Sequence, residues 1–150
     1  MAFTREDIVG VVQGVWSTML SAEVAEAPAA RPGTADHGVL RGTIAISGGW
    51  HGTLVLELAA SEAQAAACIM LDLKPGEASD DDAREIVSEL TNIVGGNVKA
   101  LLESPSKLGL PAVERIAGPA WPGPVAGESE RHAFSWDGAC FWLAVVAQDA

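Results

Sequence analysis

Residues 85 to 102 read EIVSELTNIVGGNVKALL, and their periodicity predicts an amphipathic helix that packs on a second layer. The apolar positions of this helix form one broad arc: Ile86, Leu90, Ile93, Val94, Val98 and Leu101. The stretch also holds a Gly-Gly pair and two asparagines. A glycine inside a helix costs about 1 kcal/mol relative to alanine, and asparagine is also a poor helix former. These residues therefore indicate a role other than helix stability.

The opposite side of this helix is polar. At about 100° per residue, six positions fall there: Glu85, Glu89, Asn92, Gly96, Lys99 and Glu103. Glu89 and Asn92 are three residues apart and are therefore neighbours on the helix surface. Gly96 lies one turn beyond Asn92 and presents no side chain. This side is predicted to offer a carboxylate, a carboxamide and a bare patch that the backbone of another protein could approach.

Asn97 differs from Asn92 in its predicted environment. It lies roughly 140° from Asn92 around the helix, among the apolar positions. A buried asparagine must find hydrogen-bond partners. We therefore expect Asn97 to be structural, tying the helix to a neighbouring loop or strand.

The segments around this helix predict an α+β fold. Thr4, followed by Asp7, predicts the capped start of another packing helix, and Ser61 predicts the start of the Ala-rich helix SEAQAAACIMLDL. Alternating apolar residues in VLRGTIAI and GTLVLEL predict one hairpin, and RHAFSW-DG-ACFWLAVVA predicts another. LPAVERI is a predicted strand, while EAPAARPGTADH and AGPAWPGPVAG are predicted loops. The result is one domain over residues 1–150, a two-layer α/β sandwich with a mainly antiparallel sheet.

The composition argues against several classes of partner. The chain has 150 residues and a net charge of −11, so nucleic-acid phosphates and anionic lipids would repel it. No apolar run reaches the roughly 18 residues of a membrane span, and the first residues are acidic, which predicts a cytoplasmic protein. Cys68 and Cys140 have no CxxC spacing and are expected to be buried, reduced thiols.

Metal and nucleophile chemistry is not indicated by the sequence. Asp80 to Asp82 fall at the start of the long helix, where carboxylates complement the helix dipole. His37, His51 and His132 have no ligand spacing, so no metal site is expected. The sequence also contains no G-x-S-x-G motif and no phosphate-binding loop.

The spacing of Glu89 and Asn92, followed by Gly96 and Asn97, resembles the signature helix of the CheC/CheX chemotaxis phosphatases. Other segments agree with the CheX branch in content and order: STML, GTIAISGGWHGTLVLEL with its Trp-x-Gly turn, DDAREIVSELTNIVGGNVKALL and LGLPAV. The resemblance covers roughly residues 4 to 147. CheC proteins carry two E-x-x-N motifs, whereas the first helix here, EDIVGVVQG, lacks one. One site per chain is therefore expected.

This resemblance implies hydrolysis of the aspartyl phosphate on a response regulator of the CheY type. It implies that Asn92 orients the attacking water, as glutamine does in small GTPases, and that Glu89 pairs with a lysine of the regulator. Glu85, Gly96 and Lys99 would belong to the docking surface. The regulator would supply Mg²⁺, and the protein would need no cofactor of its own.

The resemblance also implies a homodimer. The apolar run CFWLAVVA favours one, because a strand of this kind at the edge of a sheet would pair with another chain. Two alternatives remain at this stage: a CheX-like module that binds a signalling protein without accelerating hydrolysis, and a purely structural dimerisation domain.

Overall fold

The computed structural model describes residues 3–27, 38–102, 105–117, 126–128, 130–136 and 139–148. The helices in this part of the chain are α1 (Arg5–Leu20), α2 (Ala60–Met70) and α3 (Asp80–Lys99). The strands are β1 (Ala25–Glu26), β2 (Val39–Gly48), β3 (Gly52–Ala59), β4 (Ser106–Leu108), β5 (Ala112–Ile116), β6 (Glu130–Trp136) and β7 (Ala139–Ala147).

The described strands form one antiparallel sheet in the order β1-β6-β7-β3-β2, with β4 and β5 both on the far edge of β2. The β2–β3 hairpin pairs Val39 with Ala59 and Ile46 with Gly52, as its alternating pattern predicts. The pairing of β6 with β7 extends to Trp136 and Ala139. The Asp-Gly turn between them lies outside the described residues, as do residues 28–37 and 118–125 of the two predicted loops and Glu103. The predicted α+β class with a mainly antiparallel sheet is confirmed.

β7 lies inside the sheet, and this corrects the reason given for a dimer. Leu143 of β7 pairs with Leu56 of β3 on one side and with His132 of β6 on the other. CFWLAVVA therefore has both edges paired and cannot recruit another chain by strand pairing. The prediction of an exposed edge was wrong because an apolar run indicates burial but not strand order.

α1 and α3 pack on the same face of the sheet. Trp16 of α1 stacks on Phe141 of β7, with 4.4 Å between ring centroids. Phe141 shares a sheet face with Leu143, which pairs with Leu56 of β3, and Leu56 pairs in turn with Gly42 of β2. Gly42 lies directly under Thr91 of α3, so α3 packs on the same face. The core between the layers is aliphatic and aromatic, and its largest buried side chains include Trp16, Phe134, Phe141, Ile44, Leu56 and Leu90.

The opposite face of the sheet carries a buried ion-pair network. The carboxylate of Glu57 is fully buried and accepts hydrogen bonds from Arg41 Nε at 2.8 Å and Arg131 Nη1 at 3.0 Å. Arg131 also pairs with Glu128 at 2.9 Å and lies over the ring of Trp142. Each charge is matched, which a buried carboxylate requires.

The start of α2 differs from the prediction. The helix begins at Ala60, the N-cap is Ala59, and no side chain caps it, so Ser61 lies inside the first turn. It ends at Met70, before the predicted LDL segment. Cys68 and Cys140 are free thiols but only partly buried, so the expectation of full burial was wrong. No helix in the described ranges has the length and apolar character needed to cross a bilayer.

Candidate functional site

α3 begins with a complete capping box. Ser79 N–H donates to Asp82 Oδ2 at 2.9 Å, and Asp82 N–H donates to Ser79 Oγ at 3.0 Å. The three aspartates of the first turn also complement the positive end of the helix dipole. Asp80 further pairs with Arg115 of β5 at 3.6 Å. The acidic run thus has a structural role at the helix start.

α3 lies close to the sheet, and two glycines allow this. A Cβ on Gly95 would lie 2.9 Å from Ile44 Cγ2 and 3.0 Å from Leu108 Cδ1. A Cβ on Gly42 of β2 would overlap the hydroxyl oxygen of Thr91. Close backbone approach is the reason for glycine at such positions. Gly95 therefore fixes the height of α3 above β2 and β4.

Glu89 and Asn92 both lie on the exposed side of α3, as does Glu85 one turn earlier. The side chains of Glu89 and Asn92 form no hydrogen bond or ion pair with another residue in the part of the chain that the structure describes. Gly96 and Lys99 are partly buried on the neighbouring turns. The structure brings these five positions to one surface, which we call the α3 face.

Gly96 leaves a gap in the α3 face. A Cβ built there would meet only Leu108 Cδ2, at 4.0 Å, which is an ordinary contact distance. Unlike Gly95, Gly96 is therefore not required for packing within the chain. Its lack of a side chain leaves space next to Asn92.

Asn97 is exposed, so the prediction of a buried structural asparagine was wrong. Its Nδ2 donates to the carbonyl oxygen of Ile93 at 2.8 Å, within the same helix and not to a loop or strand. Asn97 lines a groove between α3 and α1, where α1 contributes Gly10 and Gly14. Asn97 is exposed in this groove beside these glycines.

The family model described as "Chemotaxis phosphatase CheX" matches residues 40–126. The chain belongs to the CheX family. Its fold is similar to that of chemotaxis protein CheX from Vibrio vulnificus, with 18% identity, a TM-score of 0.76, and coverage of 96% of this chain and 95% of that one. The CheX structure from Desulfovibrio desulfuricans gives 18% identity, a TM-score of 0.72, and coverage of 95% and 97%. The structure of a CheX–CheY–BeF3–Mg²⁺ complex from Borrelia burgdorferi gives 17% identity and a TM-score of 0.68, with coverage of 99% of this chain and 100% of that one. No curated protein matches this chain.

In this CheX-family chain, two like charges on the α3 face slightly lower the stability of the helix. Glu85 and Glu89 are one turn apart, and like charges at this spacing destabilise a helix by about 0.2–0.5 kcal/mol. Lys99 in the last turn has the favourable sign for the helix dipole. The carboxylate pair thus weakens the middle of the helix slightly, next to Asn92.

The histidines and the acidic residues do not assemble into a metal site in the described part of the chain, where no group of three or more ligating side chains comes together. His51 is exposed. His132 is buried in β6, with Nε2 at 3.2 Å from Glu130 Oε2. His37 lies outside the described residues.

Glu62 is a titratable group that the sequence reasoning missed. Its side chain is buried at the start of α2, and burial raises the pKa of its carboxyl to about 8, an effect that the nearby Ala59 backbone only partly offsets. It lies close enough to Cys140 to contribute, after burial itself, to a raised pKa of that thiol. The Ala-rich context of SEAQAAA gave one signal, because most of the neighbouring side chains in this segment are alanine methyl groups.

Proposed function

We propose that this protein hydrolyses the aspartyl phosphate of a CheY-type response regulator. The observation that carries the proposal is the exposed pair Glu89 and Asn92 on α3, which has no partner among the described residues, in a chain of the CheX family. An unpaired carboxylate and carboxamide one turn apart are suited to reach into a partner. If these two side chains served only the stability of this fold, they would have partners within it, or other residues could replace them without loss of stability.

The chemistry needs little from this chain, because phosphoryl transfer depends mainly on positioning and on neutralising charge. In the proposal the regulator contributes the phosphoaspartate, a lysine and the Mg²⁺ that it holds. Asn92 Oδ1 accepts a hydrogen bond from a water molecule and holds it in line with the phosphorus, while its Nδ2 donates elsewhere. This protein then supplies no general base and no cofactor.

Glu89 serves docking in this proposal. Its carboxylate pairs with the lysine of the regulator, and this pair fixes the register of α3 over the phosphorylated site. Glu85 and Lys99 flank the contact, and Gly96 gives the regulator backbone room to approach. The CheX relative from B. burgdorferi, which forms a complex with CheY, supports a regulator as the partner.

A single-turnover assay tests the catalytic part. A CheY-type regulator is phosphorylated with acetyl phosphate, and phosphate release is measured with wild type, Asn92→Ala and Asn97→Ala. Asn97 is the matched control, because it is an exposed asparagine on the same helix. We expect Asn92→Ala to lose the acceleration and Asn97→Ala to keep it. A wild-type rate for Asn92→Ala would overturn the proposed mechanism.

A binding measurement separates hydrolysis from docking alone. Glu89→Ala should weaken capture of a regulator loaded with Mg²⁺ and beryllofluoride by about 2 kcal/mol or more if the charge pair is buried at the interface. Gly96→Arg should block docking by filling the gap on the α3 face. If wild type binds the regulator but never accelerates release, the protein is a binding module and not a phosphatase.

The homodimer also remains a proposal, now without the edge-strand argument. It rests on the resemblance to CheX proteins alone. Light scattering at micromolar concentration should give twice the mass of the 15.5 kDa chain. A 15.5 kDa species would exclude the dimer without affecting the proposed hydrolysis.

A further inference from the structure

Glu62 has a buried carboxyl group that this fold does not pair. The residue is 5% exposed, and neither Oε1 nor Oε2 accepts a hydrogen bond from another group within the described residues. Buried polar groups in proteins usually have such bonds, because burial without them is costly. Glu57, the other fully buried carboxylate described above, has two arginine partners. The two oxygens of Glu62 therefore have hydrogen-bonding capacity that the described chain does not use.

Helix capping does not account for Glu62. It is the third residue of α2, the position from which Asp7 in α1 and Asp82 in α3 bond back to the N-cap backbone. In α2 the N-cap is Ala59, and its backbone lies near the carboxyl without forming a hydrogen bond of good geometry. An acidic residue at this position normally completes a capping box. In α2 the carboxyl is instead buried beside a pocket.

This pocket lies between the start of α2, the end of β6 and the start of β7. Its volume is about 180 Å³, and its described lining residues are Ser61, Glu62, Ala65, Trp136 and Ala139. Ser61 and Ala65 are exposed and form its rim, whereas Glu62 and Trp136 are buried and form its floor. A cavity of about 150 Å³ can hold a molecule as large as benzene. The pocket therefore has room for a small organic ligand.

The lining suits a protonated amine. A carboxylate accepts hydrogen bonds from an ammonium group, and the hydroxyl of Ser61 adds another acceptor. Tryptophan is the aromatic side chain that attracts cations most strongly, and Trp136 is at the floor. Among the described lining residues no side chain is basic, so none would repel a cation.

The ionisable groups around Glu62 do not compete for it as cations. Burial, and not a neighbouring charge, raises the pKa of its carboxyl to about 8. On β7 the titratable group that it influences is the thiol of Cys140. On β6 the nearest ionisable side chain on the face of Trp136 is His132, four residues away. On α3, Asp80 reaches α2 through a hydrogen bond to Gln64, and α1 has its charged residues in its first turn.

We propose that this pocket binds a small protonated amine, with Glu62 as the carboxylate partner and Trp136 as the aromatic floor. The carboxyl turns toward the pocket, and the ammonium group donates hydrogen bonds to its oxygens. The carboxyl proton leaves to solvent as the cation binds, so charge is conserved at the site. The described lining includes no residue of α3, and the site is therefore separate from the proposed hydrolysis.

Calorimetric titration with methylammonium at pH 6, 7 and 8 and constant ionic strength tests the proposal. Because the cation displaces a proton below about pH 8, Kd should fall about tenfold per pH unit and then level off. Acetamide, a neutral molecule of similar size, should not bind. The indole N–H signal of Trp136 should shift in NMR spectra during the titration, and Trp136→Phe assigns it among the five tryptophans.

Three variants locate the site. Glu62→Gln should abolish binding of methylammonium. Ala65→Leu narrows the rim and keeps the carboxyl, so Kd should rise about tenfold or more, a loss that calorimetry resolves. Gln64→Ala is the matched control on the same helix, because Gln64 lines the neighbouring groove with Cys68, and it should bind as wild type does. If Glu62→Gln does not fold, Ala65→Leu and the Trp136 signal decide.

Four results would overturn the inference. One is the absence of methylammonium binding to wild type at every pH. Another is equal binding by wild type and a folded Glu62→Gln, which would place the ligand elsewhere. A Kd that rises with pH, or binding of acetamide in preference to methylammonium, would show that the pocket takes a neutral ligand. An unchanged Trp136 signal at saturation would show that the amine binds outside this pocket.

Discussion

α1 and α3 use the same structural devices and differ on the side that faces away from the core. Both begin with a capping box, Thr4 with Asp7 in α1 and Ser79 with Asp82 in α3, and both bury an apolar side on the same face of the sheet. The outward side of α1 has Gly10 and Gly14, whereas the side chains of Glu89 and Asn92 on the α3 face have no partner in the described part of the chain. Capping and packing therefore explain how both helices form, and neither explains the polar residues of α3.

The largest expected difference concerns the carboxamides of the two helices. Asn92→Ala in α3 should lower the rate of phosphate release by about 100-fold or more, the scale seen when one positioned polar group is removed from an active site. Its free energy of unfolding should change by less than about 0.5 kcal/mol, because the residue is exposed. Single-turnover rates and urea melts of the same preparations give both values.

Gln13 of α1 is the counterpart in this comparison. Its Nε2 donates to the carbonyl oxygen of Val24 at 3.3 Å and ties α1 to the segment that follows it. Gln13→Ala should cost about 1 kcal/mol of stability and leave phosphate release unchanged. If Gln13→Ala slowed release as much as Asn92→Ala, the division of roles between the helices would be wrong.

The start of α2 contrasts with both capped helices in its dependence on pH. Burial raises the pKa of Glu62 to about 8 in the folded protein, against 4.5 as its ordinary value. Between these pH values the unfolded chain has lost the Glu62 proton and the folded chain has kept it, so this group lowers stability as pH rises. The loss should be on the order of 5 kcal/mol across the window and should level off above about pH 8.

Glu62→Gln should remove this slope, because glutamine stays neutral. Denaturant melts at pH 5, 7 and 8.5 should show the variant gaining stability over wild type as pH rises. If the difference in stability between wild type and Glu62→Gln stayed constant with pH, the raised pKa of Glu62 would be contradicted.

Gly95 in α3 should tolerate alanine poorly. The new Cβ would press on Ile44 and Leu108, and overpacking of this kind costs about 1–3 kcal/mol. The rate of phosphate release by the folded variant should also fall, because the new Cβ would push α3 away from the sheet and so displace Asn92. Thermal melts and rates together check this, and an unchanged melting temperature would mean that the helix-to-sheet distance is not tight.

Replacing Gly10 or Gly14 of α1 by alanine should raise stability, in contrast to Gly95→Ala, and this should be the smallest of the expected effects. A Cβ at either position meets no atom within 4 Å. Alanine should therefore stabilise the protein by about 0.4–1 kcal/mol per site through its higher helix propensity. Melting curves of the single variants would show this, and a loss of stability at either site would indicate a contact with a second chain in the groove.

The sequence predicted the elements with a strong local period and missed those without one. The α3 helix and the β2–β3 hairpin were found because their periodic apolar residues extend over several turns or alternations. β1 has two residues and β4 has three, which is too short to show a period. The place of β7 inside the sheet depends on long-range pairing that no local pattern records.

The environments of the two asparagines show the same limit at the site. The helical wheel assigned Asn92 to the exposed side of α3, and it is exposed. Asn97 lies at the border of the apolar arc, where burial depends on the neighbouring helix. The part of α1 that lines this groove includes Gly10 and Gly14, and Asn97 is exposed there. A wheel describes one helix and carries no information about the side chains of the next.

The interior position of β7 has a consequence for biosynthesis. Among the described strands, β3 and β6 are joined through β7, so these two parts of the sheet stay separate until residues 139–147 have left the ribosome. Until then the β2–β3 hairpin exposes the apolar edge of β3, a state open to wrong pairing. Synthesis at about 5–20 residues per second makes this interval several seconds long for the 80 positions from Ala59 to Ala139. The unpaired edge of β3 therefore leaves the nascent chain prone to aggregation until β7 emerges.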